Sequence, residues 1–145
     1  MDYKKTLDEA RQFRIAAAIC LFEQEERKYY PKIDRWLIIP ATVNYALAIE
    51  LFLKCLLIKE GNHKTGHKLY DLFLELKPKT QEHIIKLTNL PPIILFHVIL
   101  KAHSNLYDDW RYFYQKKGGN SNRIEFQFLK DFSNALDKTI FDLYG

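Results

Sequence analysis

Glu50 and Lys54 stand four residues apart in the most apolar stretch of the chain. On a helix that spacing brings both side chains to one face, with the acid N-terminal to the base as a favourable pair requires. Unpaired charges are costly to bury, so such a pair must line a polar seam, a cleft or a subunit interface. An ion pair that fixes helix register is one role that fits it. A second cluster comprises Tyr107, Asp108, Trp110, Arg111, Tyr112 and Tyr114. Within it Tyr107, Trp110, Arg111 and Tyr114 share a face through i, i+3, i+4, i+7 spacing. A guanidinium among aromatic rings can grip a phosphate with two hydrogen bonds while a ring stacks on a base. The same stripe also fits a core face, with Arg111 paired to Asp108 or, across the bundle, to Glu50.

Among the five histidines, only His63 and His67 have ligand-like spacing. Gly66 interrupts any helix that would align them and no cysteine or carboxylate completes a set nearby, so a structural or exposed role is expected over a metal site. His97 and His103 lie six apart, well off a shared helical face, and read as independent. Glycine-rich phosphate loops, nucleophile elbows and HExxH motifs are absent from the sequence,. Cys20 and Cys55 sit inside apolar helical patterns and read as small core residues rather than disulfide or metal partners.

The elements that must position these residues are helical. Ala10, Phe13, Ala17, Ile19, Cys20 and Leu21 recur at helical spacing, and the charged run from Glu23 to Lys28 closes a first helix ahead of Tyr29, Tyr30 and Pro31,. Ala41 to Glu60 is apolar almost all round, which predicts a central helix, and Gly61-Asn62 ends it. Leu69, Leu72, Phe73 and Leu76 predict a short amphipathic helix stopped by Pro78. Thr80 reads as the N-cap of another, ending near Asn89. After Pro91-Pro92 a long helix is expected from about Ile93 to Lys117, with Gly118 to Asn122 as a loop. A last helix, about Glu125 to Tyr144, carries Phe128, Leu129, Phe132, Leu136, Ile140 and Leu143 on its apolar stripe. The expected class is all-α: a single-domain, antiparallel up-and-down bundle of about five to six helices over residues 1–145.

Length and composition agree. The chain has 145 residues, 48% hydrophobic and 28% charged, enough for one globular core and too apolar for disorder,. The longest uncharged stretches, Trp36 to Ile49 and Leu87 to Leu100, are each 14 residues and contain proline, against roughly 20 apolar residues for a bilayer span,. No transmembrane helix is therefore expected. Met1 to Ala10 is charged and lacks a secretion signal, so the expected location is the cytoplasm. The net charge of +4 permits an anionic partner, and Lys54 to Lys86 holds seven lysines against four acidic residues, a local +3,.

The run Tyr45-Ala-Leu-Ala-Ile-Glu-Leu-Phe-Leu-Lys-Cys-Leu-Leu-Ile-Lys-Glu-Gly61, then Gly66-His-Lys-Leu-Tyr-Asp-Leu-Phe73, then Trp110-Arg-Tyr-Phe-Tyr114, resembles the HEPN (higher eukaryotes and prokaryotes nucleotide-binding) superfamily. The resemblance covers roughly Asn44 to Gln115. Its most specific parts are Glu50-x3-Lys54 and the Gly66-His67-x-Leu69 that opens the following helix. It implies a compact helical bundle, commonly dimeric. Many family members are metal-independent ribonucleases with an Arg-x4-6-His motif near the end of a late helix. This chain departs from that motif: the positions following Arg111 at the required spacing hold Lys116, Lys117 and Gly118, and no other arginine has a histidine correctly placed. Lysine, with an ordinary pKa of about 10.4, is poorly suited to the proton exchange that histidine would perform.

The resemblance thus implies a module that binds nucleotide or RNA, or a protein partner, in a toxin-antitoxin or defence-type system, with no cofactor. In that reading Arg111 and Lys54 contact phosphate, Tyr112 or Tyr114 stacks on a base, Glu50 orients Lys54, and His67 caps or anchors the helix it opens. An alternative is a metal-independent ribonuclease in which Arg111 holds the scissile phosphate and His67 or His103 supplies the missing imidazole. A third is a structural accessory subunit. The expected partners are a second copy of the chain and a nucleotidyltransferase or antitoxin, with no membrane.

Overall fold

The chain is described by a computed structural model over residues 1–26, 37–106 and 125–145. These residues form six α-helices with no strand among them: α1 (Tyr3–Glu26), α2 (Ile38–Lys59), α3 (Leu69–Leu74), α4 (Pro78–Thr88), α5 (Ile93–Ala102) and α6 (Phe126–Tyr144). The all-α helical bundle expected from the sequence is what the chain forms.

α2 is the axis of the bundle. Its buried residues include Tyr45, Ile49, Phe52, Leu53, Leu56 and Leu57, distributed round the helix as its apolar sequence requires,. α1 lies along one side of it and α6 along another, while α3 covers its C-terminal half. Leu57, Ile58 and Lys59 form the last turn, and Gly61 (φ +75°) reverses the chain. The Gly61 N–H donates to Ile58 O (3.0 Å) and the Asn62 N–H to Leu57 O (2.9 Å), which satisfies carbonyls that a helix end leaves open,. This stop returns the chain toward Glu50.

α2 has 22 residues and by length and composition alone is long and apolar enough to cross a membrane, a test that the buried core helix of a bundle also passes. In the bundle 67% of its most apolar window is buried, as in a core helix.

Three element readings change. Thr80 is not an N-cap: α4 begins at Pro78, whose ring suits the first helical position, after Lys77,. The Thr80 hydroxyl instead donates to the Glu60 carboxylate, and the Lys77 N–H donates to its other oxygen, tying α4 to the end of α2. The long helix from Ile93 ends at Ala102, with turns at residues 103–105. The backbone turns there because Ser104 is needed elsewhere: its carbonyl and hydroxyl accept the Leu69 and Tyr70 N–H groups at the start of α3 (3.1 and 3.0 Å). The remainder of that expected helix and the loop at Gly118 to Asn122 lie outside the described residues. On α6 the stripe Phe128, Leu129, Phe132, Leu136 and Ile140 is buried, but Leu143 is largely exposed at the frayed end.

A ring cluster joins the small helices to the rest. Phe73 of α3 and Phe96 of α5 meet at 5.1 Å, and Phe96 lies edge-on to Phe128 and Phe132 of α6 at 5.8 and 5.5 Å. Edge-to-face contacts of this kind orient as well as bury. They fix α3 relative to α5 and α6.

Candidate functional site

Glu50 lies at the middle of α2, on the side facing the loop that precedes α3. Its side chain is only 7% exposed, and its Oε1 receives two nitrogen groups. Lys54 Nζ donates to it at 2.7 Å from one turn along the same helix. His67 Nδ1 lies 2.8 Å from the same oxygen, arriving from the loop. A carboxylate only accepts, so this contact puts the ring proton on Nδ1 and makes Nε2 the basic nitrogen. Gly66, at φ +120°, supplies the backbone turn that brings His67 back to α2,.

Oε2 of Glu50 has no hydrogen-bond partner among the described residues, although the side chain is nearly buried. Buried polar atoms are normally hydrogen-bonded, so this carboxylate oxygen has capacity for a donor from a ligand. Lys54 is 15% exposed and His67 61%, so the site runs outward from a buried acid, through an ammonium, to an imidazole at the surface. One negative and one positive charge cancel at its base.

Three of the residues singled out by sequence are therefore together: Glu50, Lys54 and His67. His67, expected to cap or anchor the helix it opens, reaches back to α2. Lys68 is the N-cap of α3 and makes no side-chain cap hydrogen bond, whereas His67 is spent on Glu50. His103 sits elsewhere in the bonding scheme. Its Nδ1 donates to Ile99 O at 2.8 Å, and its Nε2 accepts the Glu125 N–H at 3.0 Å. Both ring nitrogens are used in joining the end of α5 to the start of α6, and the ring is buried. That arrangement argues for a structural histidine. Arg111, Tyr112 and Tyr114, with the rest of their aromatic cluster, lie outside the described residues.

Sequence reasoning did not single out Tyr70 and His97. The Tyr70 hydroxyl lies 3.0 Å from His97 Nδ1, joining α3 to α5 over the Phe73 ring. The two are 27 positions apart, so no local spacing could have shown the contact. Both cysteines are free; Cys55 is buried, and burial pushes its thiol pKa up to about 12,. Among the described residues no group of three or more His, Cys, Asp or Glu side chains is placed to hold a metal ion.

No family model, curated protein or solved structure matches this chain.

Proposed function

We propose that this protein is a HEPN-like module that binds a nucleotide or RNA at the Glu50, Lys54 and His67 site, within a prokaryotic toxin-antitoxin or defence-type system. The observation that carries the reading is the Glu50 carboxylate: buried, holding Lys54 and His67 on one oxygen, and open at the other. A ribonucleotide supplies what this site lacks. Its phosphate takes the Lys54 ammonium and the His67 imidazolium, and a ribose hydroxyl donates to Glu50 Oε2. The resemblance to the HEPN superfamily supports the same choice, because the residues that meet here are those of its two most specific segments. Arg111 adds a further phosphate contact in this reading, and Tyr112 or Tyr114 stacks on a base.

The test is filter binding of labelled RNA and of the matching DNA in excess chelator, with wild type beside Lys54→Ala, Glu50→Gln and Arg111→Ala. Expected are weaker retention in all three variants and a loss of preference for RNA over DNA in Glu50→Gln. Unchanged retention in Lys54→Ala and Glu50→Gln would remove the site from the reading.

The His67 contact favours a second reading, metal-independent RNA cleavage. A carboxylate that fixes Nδ1–H leaves Nε2 as the basic nitrogen of the ring, the arrangement used to orient catalytic imidazoles. Nε2 would take the proton of the ribose 2′-hydroxyl, and the alkoxide would attack phosphorus. A 2′,3′-cyclic phosphate forms as the bond to the 5′-oxygen breaks, and that oxygen takes a proton from water. Size analysis of the same samples decides: fragments that vanish in His67→Ala support cleavage, and intact RNA at high protein concentration leaves binding alone.

A further inference from the structure

On the side of the molecule built by α4 and α5 the chain turns sharply, by 94° between the two helices. The angle opens a cleft of about 580 Å³. Its walls are Ile85, Leu90, Pro91 and Ile93, and its rim carries Glu82 and Lys86. The apolar surface does not stop at the cleft. Ile93 is 63% exposed, and Ile94, Leu95 and Val98 continue outward along α5, with Val98 still 59% exposed. Four large aliphatic side chains exposed on one ten-residue helix are more than scattered surface hydrophobics, and contiguous patches of this kind mark interaction sites,.

Charge says what kind of partner fits. Lys79, Lys86 and Lys101 are exposed along α4 and at the end of α5, and none makes an ion pair among the described residues. Glu82 is the one acidic residue in residues 78–102. His83, on the other side of α4, is occupied by Asp142 at 2.9 Å. Lys86 and Glu82 stand at the cleft itself, and Lys79 and Lys101 add two unpaired cations farther along α4 and α5, so the α4–α5 surface is net positive. An aliphatic cleft with an exposed aliphatic ridge beside it matches the stripe of an amphipathic helix, whose anchors recur at i, i+3, i+4 and i+7. A cationic border selects a helix whose polar face is acidic.

We propose that the α4–α5 cleft and the exposed face of α5 dock an acidic amphipathic helix of a partner protein. The surface is separate from the Glu50 site, and the inference does not depend on the nucleotide reading. The helix lays its aliphatic stripe against Ile85, Leu90, Ile93 and Val98, and its carboxylates face Lys79, Lys86 and Lys101. Glu82 sets the register by excluding an acid opposite it.

The experiment is fluorescence anisotropy with two labelled peptides of roughly 15 residues, a length that supports three to four helical turns. Both carry leucines at helical spacing; one has glutamates and the other lysines on the polar face. The full chain is expected to bind the acidic peptide saturably and at least tenfold more tightly than the basic one. Ile93→Asp should abolish that binding, and Lys86→Glu should weaken it and reduce the preference. Ile93 is exposed, so its variant should retain the wild-type thermal transition, measured by circular dichroism on the same sample. Equal binding of both peptides, or no saturable binding of the acidic one, overturns the proposal. So does unchanged binding in Ile93→Asp. Two alternative occupants are tested alongside. Preferential binding to phosphatidylglycerol vesicles would assign the face to a membrane surface. A dimer in sedimentation that Ile93→Asp dissociates would assign it to a second copy. Either result replaces the acidic helix.

Discussion

Asp137 and Glu50 each gather two basic side chains, and they do so in opposite ways. Asp137 on α6 uses both oxygens: Arg11 donates through Nε and Nη2 to Oδ1 at 3.1 and 2.9 Å, and Arg14 Nη2 reaches Oδ2 at 3.0 Å. Arg14 also donates to Asn134 and lies 5.9 Å over the Phe52 ring. The hydrogen bond to Asp137 raises the Arg11 pKa further above its ordinary value. Every acceptor is filled, and both partners come from α1, so the contact joins two long helices, α1 and α6. Glu50 loads both of its nitrogen partners on one oxygen and leaves the other open, with one partner on its own helix and the other on a loop. A saturated carboxylate between rigid helices is a clamp. A half-saturated one beside a loop has capacity left for a ligand.

The largest stability effect should therefore fall on the clamp. Asp137→Asn removes the charge and leaves one amide oxygen where Arg11 and Arg14 used two carboxylate oxygens, setting an NH2 group against a guanidinium at a position only 15% exposed, which should cost about 2 kcal/mol,. For a chain of this size that is a fall of roughly 5 °C in the thermal midpoint. RNA retention per folded molecule should not change. Glu50→Gln should behave in reverse: about 1 kcal/mol of stability, because Lys54 and His67 share one oxygen and an amide oxygen can still accept both, but roughly a tenfold loss of retention,. Paired melting curves and filter binding on the two variants read the contrast directly. If Asp137→Asn loses RNA and Glu50→Gln does not, the assignment of clamp and site is inverted.

Cys55 sharpens the clamp half of the comparison. Its thiol is buried on α2 under α1, with Sγ 4.0 Å from Tyr3 O, and its pKa of about 12 leaves almost no thiolate at neutral pH,. Labelling of Cys55 by a thiol reagent should therefore wait for α1 to lift from α2. Cys20 is part-exposed and should react first. Asp137→Asn, which loosens α1, should speed Cys55 labelling several-fold, roughly in step with its stability loss, and Glu50→Gln should change it much less. Mass spectrometry of timed labelling reactions measures both. Equal acceleration by the two variants would mean that Glu50 also holds the bundle closed.

What the sequence disclosed follows the range of each interaction. Glu50 and Lys54 are four residues apart, and their bond was legible because a helix makes that spacing a contact. The central position of α2 followed from its apolar composition, and its end from Gly61. The Glu50 to His67 contact spans 17 positions and depends on a turn at Gly66, so periodicity could not show which residue His67 meets. The early end of α5 was hidden for a similar reason. Ile93 to Leu100 carries a helical pattern with no stop signal, and the turn at Ser104 exists to receive N–H groups 34 and 35 residues away. Thr80 shows the limit of local motifs: a threonine ahead of an apolar run resembles an N-cap, but Pro78 had already started the helix and Glu60 claimed the hydroxyl. The Asp137 clamp joins positions more than 120 apart and left no local trace.

A third carboxylate completes the comparison with the smallest expected effect. Asp142 near the end of α6 also has two basic partners, His83 Nε2 at 2.9 Å to Oδ2 and Lys138 Nζ at 3.0 Å to Oδ1. The His83 hydrogen bond, followed by that of Lys138, holds its pKa below the ordinary value of 3.8. A carboxyl group whose folded pKa is lowered stabilises the fold above its unfolded pKa and loses that contribution as pH falls through the folded value. The link between α4 and α6 through Asp142 should thus be intact at neutral pH and weaken only below about pH 4. His83→Ala should raise the Asp142 pKa toward 3.8 in a carboxyl-carbon NMR titration, with no measurable change in the thermal midpoint at pH 7, because exposed ion pairs contribute little there. Asp142 fills both oxygens as Asp137 does, yet lies in solvent. If His83→Ala nevertheless lowered the midpoint as much as Asp137→Asn, then filling both oxygens, rather than burial between two long helices, would be what makes a carboxylate a clamp in this fold.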